Sequence, residues 1–137
     1  MTTDNLLEYA DRCGYAVIYD EFPECGSLSV DVGGGCIGID CHVAGREEKV
    51  RIAHEVGHCE TGSFYSRHMP NQCMQQLENR ANRWAYNRVV PFEDIQAAIH
   101  AGYVESWELA DHFDVTDEFM VSALAYYHDV RGLDFQV

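Results

Sequence analysis

The feature that most restricts the fold of this chain is a change of pattern near Gly45. Seven of its eleven glycines lie at or before that residue, among short β-branched and aromatic runs. AVIY at 16–19, SLSVDV at 27–32 and CIGID at 36–40 are separated by the turn-forming stretch Pro23–Gly26 and by Gly33-Gly34-Gly35. They predict three short strands, the last two joined as a hairpin. Ahead of them, Asp4 to Cys13 carries Leu6, Leu7 and Ala10 at near-helical spacing and stops at Gly14, which predicts one amphipathic helix. Beyond Gly45 the glycines thin out, and helical periodicity predicts helices near 45–61, 71–89, 91–101, 106–113 and 117–129. Boundary residues agree: Gly62 and Pro70 bracket a loop, Asn71 suits a helix cap and Pro91 a first helical turn, and Thr116 precedes two acids. The expected class is α+β, an N-terminal helix and small three-stranded sheet followed by a helical bundle. One domain is expected over 1–137, with helix and sheet in 1–44, a central helical part in 45–91 and further helices in 92–137.

The balance of charge removes several function classes. Twenty-three Asp and Glu against nine Lys and Arg give a formal charge of −14, which repels phosphate backbones and argues against direct nucleic-acid binding. No apolar run approaches the roughly 18 to 20 residues that cross a bilayer, and the start, MTTDNLLEYADR, lacks a basic head followed by an apolar stretch. No membrane association and a cytoplasmic location are therefore expected. The six cysteines are irregularly spaced and form no C-x-x-C, which fits reduced small core residues better than disulfides.

The segment RIAHEVGHCETG concentrates the chemistry. His54-Glu55-Val56-Gly57-His58 is an H-E-x-x-H pattern, and at about 100° per residue on a helix the two imidazoles lie on one face, one turn apart. They can share one metal ion. Ile52, Val56 and Cys59 fall on the opposite side and would anchor the helix. Zinc takes neutral nitrogen ligands and, in catalytic sites, keeps one position open for water. Glu55, beside the first ligand and not itself bound, would take the proton of that water and pass it to the leaving amine.

The motif is short, so this reading requires a third ligand. Glu78 is the candidate, twenty residues after His58 on the helix LENRANRWAYNRVV. Ala81 and Ala85 share its face and permit close approach, and Gly57 offers the same relief from the other side. Asn82, one turn beyond Glu78, is placed to orient a ligand histidine through its free ring nitrogen. A third histidine six residues after His58 is ruled out, because Phe64 stands there, and His68 is loosely placed. An iron site of two histidines and one carboxylate is the alternative metal centre, though Glu55 at the position of a base favours hydrolysis. Tyr65, His68, His112, Tyr126 and Tyr127 are candidates to stabilise a developing oxyanion. His42, His100 and His128 read as ordinary polar residues, and Arg51 as the partner of a carboxylate.

Taken together, REEKVRIAHEVGHCETG and LENRANRWAYNRVVP resemble the ImmA/IrrE family of zinc metallopeptidases of mobile elements and bacterial stress responses. The shared elements are the H-E-x-G-H of residues 54–58, then Glu78, Ala81, Asn82, Trp84 and Ala85, then Val89-Val90-Pro91. The resemblance implies a zincin-like fold and a zinc-dependent endopeptidase, with His54, His58 and Glu78 as zinc ligands and Glu55 as acid and base. It further implies a protein substrate, a helix-turn-helix repressor of a mobile element or stress response. An acidic surface suits such a basic partner.

Two other functions compete with this one. A non-proteolytic, metal-stabilised anti-repressor would inactivate its partner by binding alone, and a metal-free domain would carry the motif by coincidence. The tail SWELADHFDVTDEFMVSALAYY has the cadence of a DNA-reading helix pair, with Leu109, Ala110, Phe113, Val115, Val121 and Leu124 as its expected core. Asp111, Asp114, Asp117 and Glu118 around its turn assign it to packing or partner docking instead.

Overall fold

The computed structural model describes residues 1–65 and 68–136. Thr2 opens helix α1 (Thr3–Arg12) in a reciprocal capping box with Asn5, which satisfies two otherwise orphaned amide groups. Leu6 and Ala10 are its buried residues. Strands β1 (Ala16–Asp20), β2 (Ser27–Val30) and β3 (Cys36–Asp40) form one sheet in the order β1-β3-β2. β3 runs parallel to β1, pairing Val17 with Ile37, and antiparallel to β2, pairing Leu28 with Gly38. The predicted hairpin is therefore present. Its turn needs the three glycines, because Gly33, Gly34 and Gly35 have φ of +61°, +91° and +140°, values that a side chain disfavours. β3 is central and supplies the buried Ile37 and Ile39, while β1 and β2 are the outer strands, each with an unpaired edge among the described residues.

Helices α2 (Gly45–Thr61) and α3 (Asn71–Val89) follow, then α4 (Phe92–His100), α5 (Ser106–Phe113), α6 (Asp117–Ala125) and a π turn at Tyr126–Val130. The α+β class expected from the sequence is the observed one. The chain divides into two compact units, Met1–Ala85 and Tyr86–Val137. In the first, the sheet and α1 pack against α2. The second is built around Val90, Ile95, Leu109, Val115, Met120 and Tyr127, all fully or almost fully buried.

Several local expectations need correction. Pro91 is the cap of α4 and not its first helical residue. Thr116 does cap α6, its hydroxyl accepting the Phe119 amide. The last helix is α-helical only to Ala125; in the wider π turn that follows, Tyr127 is buried and its hydroxyl donates to the Val90 carbonyl at 2.8 Å. Val121 is 52% exposed, and Phe119, Met120 and Ala123 form the inner face of α6 instead. The cysteines are free but are not core residues: Cys13, Cys25, Cys41 and Cys73 are exposed, and Cys36 and Cys59 half-buried. Cys13, Cys25 and Cys41 occupy a helix end, a turn and a strand end, where the backbone reaches the surface. Among the described residues, no helix is long and apolar enough to cross a membrane.

Candidate metal centre

The centre lies within the first unit, where α2 meets α3. Ile52 and Val56 are fully buried and fix the rotation of α2 so that His54 and His58 project from its other side. The helices touch at Gly57. A Cβ added there would lie 2.5 Å from the Ala81 carbonyl oxygen, so only glycine permits this approach. Ala81 and Ala85 are fully buried, as their small side chains on the predicted contact face require.

That approach brings Glu78 onto both imidazoles. Glu78 Oε1 lies 2.8 Å from His58 Nε2, Glu78 Oε2 lies 3.0 Å from His54 Nε2, and the two Nε2 atoms are 3.1 Å apart. The outer nitrogens are committed as donors. His54 Nδ1 donates to Asn82 Oδ1 at 2.7 Å, and His58 Nδ1 donates to the Ser63 carbonyl at 2.7 Å. In the neutral tautomer each Nε2 therefore presents a lone pair, and these lone pairs and the carboxylate converge on one point. A cation is the species that such a set accommodates. Edges of tetrahedral zinc with nitrogen and oxygen ligands are about 3.3 Å, within a few tenths of an ångström of those found here.

Electrostatics point the same way. Burial by itself raises the Glu78 carboxyl, but His54 and His58, which donate to it when their rings are protonated, outweigh that and hold the group ionised far below the usual carboxylate range. For His54, burial favours the neutral ring, whereas Glu78 and the nearby Glu55 charge raise its pKa. His58 is the most enclosed of the three, with a side chain 4% exposed against 21% for His54 and 30% for Glu78, so the group opens on the side of His54 and Glu78.

It opens into a cleft of about 410 Å³ whose walls include β2 from Ser27 to Val30, together with Phe64 and Tyr65. Glu55 faces this cleft yet is only 4% exposed. Its Oε2 accepts a hydrogen bond from the Ser27 hydroxyl at 2.7 Å. Arg51 ties the start of β2 to α2, with Nη1 donating to the Cys25 carbonyl at 3.0 Å and Nε 2.9 Å from Glu47 Oε1. The expected carboxylate partner of Arg51 is thus Glu47.

Of the candidate oxyanion donors, Tyr65 lines the cleft, its ring edge-on to His58 at 5.8 Å between centroids. Burial, then the charge and hydrogen bond of Glu78, raise its pKa and keep it a donor. Tyr127 donates to the main chain of Tyr86 and Val90, Tyr126 accepts from Asn87, and His112 lies against Tyr103 and Phe113. His68 is exposed. The structure thus brings together His54, His58, Glu78, Asn82 and Glu55. Sequence reasoning missed Ser27, whose contact with Glu55 joins residues twenty-eight positions apart.

A family model described as the IrrE N-terminal-like domain, Peptidase_M78, matches residues 10–125. Comparison with curated proteins and with solved structures gives no match. The matched segment contains the whole candidate centre and spans most of the chain. This protein belongs to the IrrE N-terminal-like family of metallopeptidases, enzymes that hydrolyse peptide bonds.

Proposed function

We propose that this protein is a zinc-dependent endopeptidase, acting in the cytoplasm on a helix-turn-helix repressor of a mobile element or stress response. The observation that carries the proposal is the convergence of His54, His58 and Glu78 beside a buried Glu55 in a cleft walled by an open strand edge. Two imidazoles and one carboxylate form the donor set that zinc hydrolases use while keeping a position for water. When bound, the ion supplies the Lewis acidity that polarises a peptide carbonyl and acidifies water. The family match runs across both compact units, which supports treating 1–137 as one catalytic domain.

The chain's own residues account for the rest of the chemistry. The free edge of β2 offers main-chain donors and acceptors to an extended peptide, the strand-addition mode of recognition. Glu55 accepts the proton of the attacking water and delivers it to the departing amine. Ser27 holds one oxygen of that carboxylate, leaving the other for the proton. Tyr65 donates to the oxygen on which negative charge develops. Asn82 and the Ser63 carbonyl fix the two histidine rings in the tautomer that leaves Nε2 free. A net charge of −14 favours encounter with a basic DNA-binding protein and disfavours DNA itself.

The test is incubation with zinc and any small helix-turn-helix protein that the neighbouring genes encode, followed by mass spectrometry of that protein. New termini are expected with the wild type. None are expected with Glu55→Gln, which should keep the wild-type metal content. Undiminished cutting by Glu55→Gln rejects the assigned base. A partner that remains intact in a stable complex rejects peptidase action in favour of sequestration.

A further inference from the structure

A second group of metal-ligating side chains lies outside the cleft, at the end of β3. Asp40, Cys41 and His42 offer a carboxylate oxygen, a thiol sulfur and an imidazole nitrogen that all lie within 4.8 Å of one another. The backbone here is held on every side. Asp40 N donates to the Gly26 carbonyl at 2.8 Å, Cys41 N to the Asp20 carbonyl at 2.8 Å, and Val43 N closes the turn onto the Asp40 carbonyl at 3.0 Å. The Asp40 side chain is only 10% exposed, and the Phe22 amide donates to its Oδ1 at 3.3 Å. One donor is thus fixed, while Cys41 and His42 on the surface remain accessible to solvent.

The two separations that involve His42 resemble those of a metal's ligand shell. His42 Nδ1 lies 3.3 Å from Asp40 Oδ1 and 3.7 Å from Cys41 Sγ. Bond lengths of about 2.0–2.1 Å for oxygen and nitrogen and 2.3 Å for sulfur give tetrahedral edges of about 3.3 and 3.6 Å. The same comparison at the His54, His58 and Glu78 group gives a less close match, since its edges are 2.8–3.1 Å.

An ion pair between Asp40 and a protonated His42 is the simpler explanation of their contact, but it leaves the thiol without a role, and His42 is 71% exposed, where such a pair contributes little.

We infer that Asp40, Cys41 and His42 form a second site, for a borderline-soft divalent cation of the zinc class, with solvent completing the shell. The mixed set of thiolate, imidazole and carboxylate excludes magnesium and calcium as preferred occupants. The inference is independent of the proposed peptidase activity and needs no substrate to test.

Cobalt(II) is the probe, because thiolate ligation produces an intense near-ultraviolet charge-transfer band that a site of two histidines and a glutamate cannot give. Titration of the metal-free, reduced wild type is expected to raise this band to a plateau by two equivalents per chain, one of them taken up silently in the near ultraviolet by His54, His58 and Glu78. The band should vanish in Cys41→Ser, fall at least tenfold in apparent affinity in His42→Ala, and persist in Glu78→Ala. Zinc added afterwards should abolish it. Absence of the band in the wild type overturns the inference, as does its survival in Cys41→Ser, which would assign thiolate binding to another cysteine. Thermal unfolding of metal-free Cys41→Ser should match metal-free wild type, and a variant that fails to fold is replaced by Cys41→Ala in the same titration.

Discussion

Gly57→Ala tests the packing on which the candidate centre depends. The added methyl carbon would stand 2.5 Å from the Ala81 carbonyl oxygen and 3.1 Å from Ala81 C and Cα, all backbone atoms that cannot rotate away. Bringing the closest contact into the 3.0–3.4 Å range requires α2 and α3 to separate by about 0.5–0.9 Å, an overpacking that costs about 1–3 kcal/mol. Alanine recovers up to about 1 kcal/mol of helix propensity, so the net loss of stability should be modest. The metal group should suffer more. Glu78 sits one helical turn from Ala81, and its contacts of 2.8 and 3.0 Å to His58 and His54 would open past hydrogen-bonding range. Loss of a partner that merely orients a ligand costs 10- to 100-fold in metal affinity, and displacement of a ligand should cost at least about that much. Chelator competition at pH 7.5, read as zinc affinity of folded protein, measures it. A Gly57→Ala protein that folds and binds zinc within about twofold of wild type would refute the claim that this contact sets the site.

Further outcomes follow from individual side chains. Ser27→Ala removes the donor to Glu55 and should lower kcat about tenfold with KM unchanged, whereas Ser27→Thr restores turnover; steady-state cleavage of a peptide spanning the mapped cut decides it. Asn82→Ala removes the acceptor that orients His54 and should weaken zinc binding about 10- to 100-fold in the same chelator assay; unchanged affinity contradicts the role. At high pH, Tyr9 sets a window. Burial and its hydrogen bond to Glu60 push its phenol up to about 12 from 10.0, so the folded state holds the proton more tightly, and the stability this confers is full below pH 10 and lost as pH rises toward 12. Denaturant titrations across that range should show the fall, and Tyr9→Phe should weaken it; an unaltered slope in Tyr9→Phe rejects the assignment.

Much of this arrangement was legible in the residues because local and tertiary requirements coincide. The pairing of His54 with His58 follows from helical geometry alone, and the anchoring by Ile52 and Val56 from the same wheel. Glu78 was reachable because Gly57 and Ala81 are small where the helices must touch, and Asn82 because it lies one turn further on. Ser27 was not legible as a partner of Glu55, since that contact depends on how the sheet packs on α2 and no local periodicity encodes it. Val121 was misplaced for a related reason: α6 is apolar on more than one side, with Phe119, Met120 and Val121 in succession and Ala123 after Ser122, and only packing decides which side is buried. The burial of Tyr127 in the π turn likewise involves a distant partner, since its hydroxyl meets the Val90 carbonyl thirty-seven positions earlier.

Anomalous diffraction at the zinc edge from crystals grown with zinc decides whether the two helices hold one ion between them. A peak is expected at bonding distance from His54 Nε2, His58 Nε2 and one Glu78 oxygen, with Glu55 unligated and a solvent molecule on the cleft side. A peak that excludes Glu78, a shell closed by Glu55 or the Cys25 thiol, or no peak between the two imidazoles would contradict this arrangement.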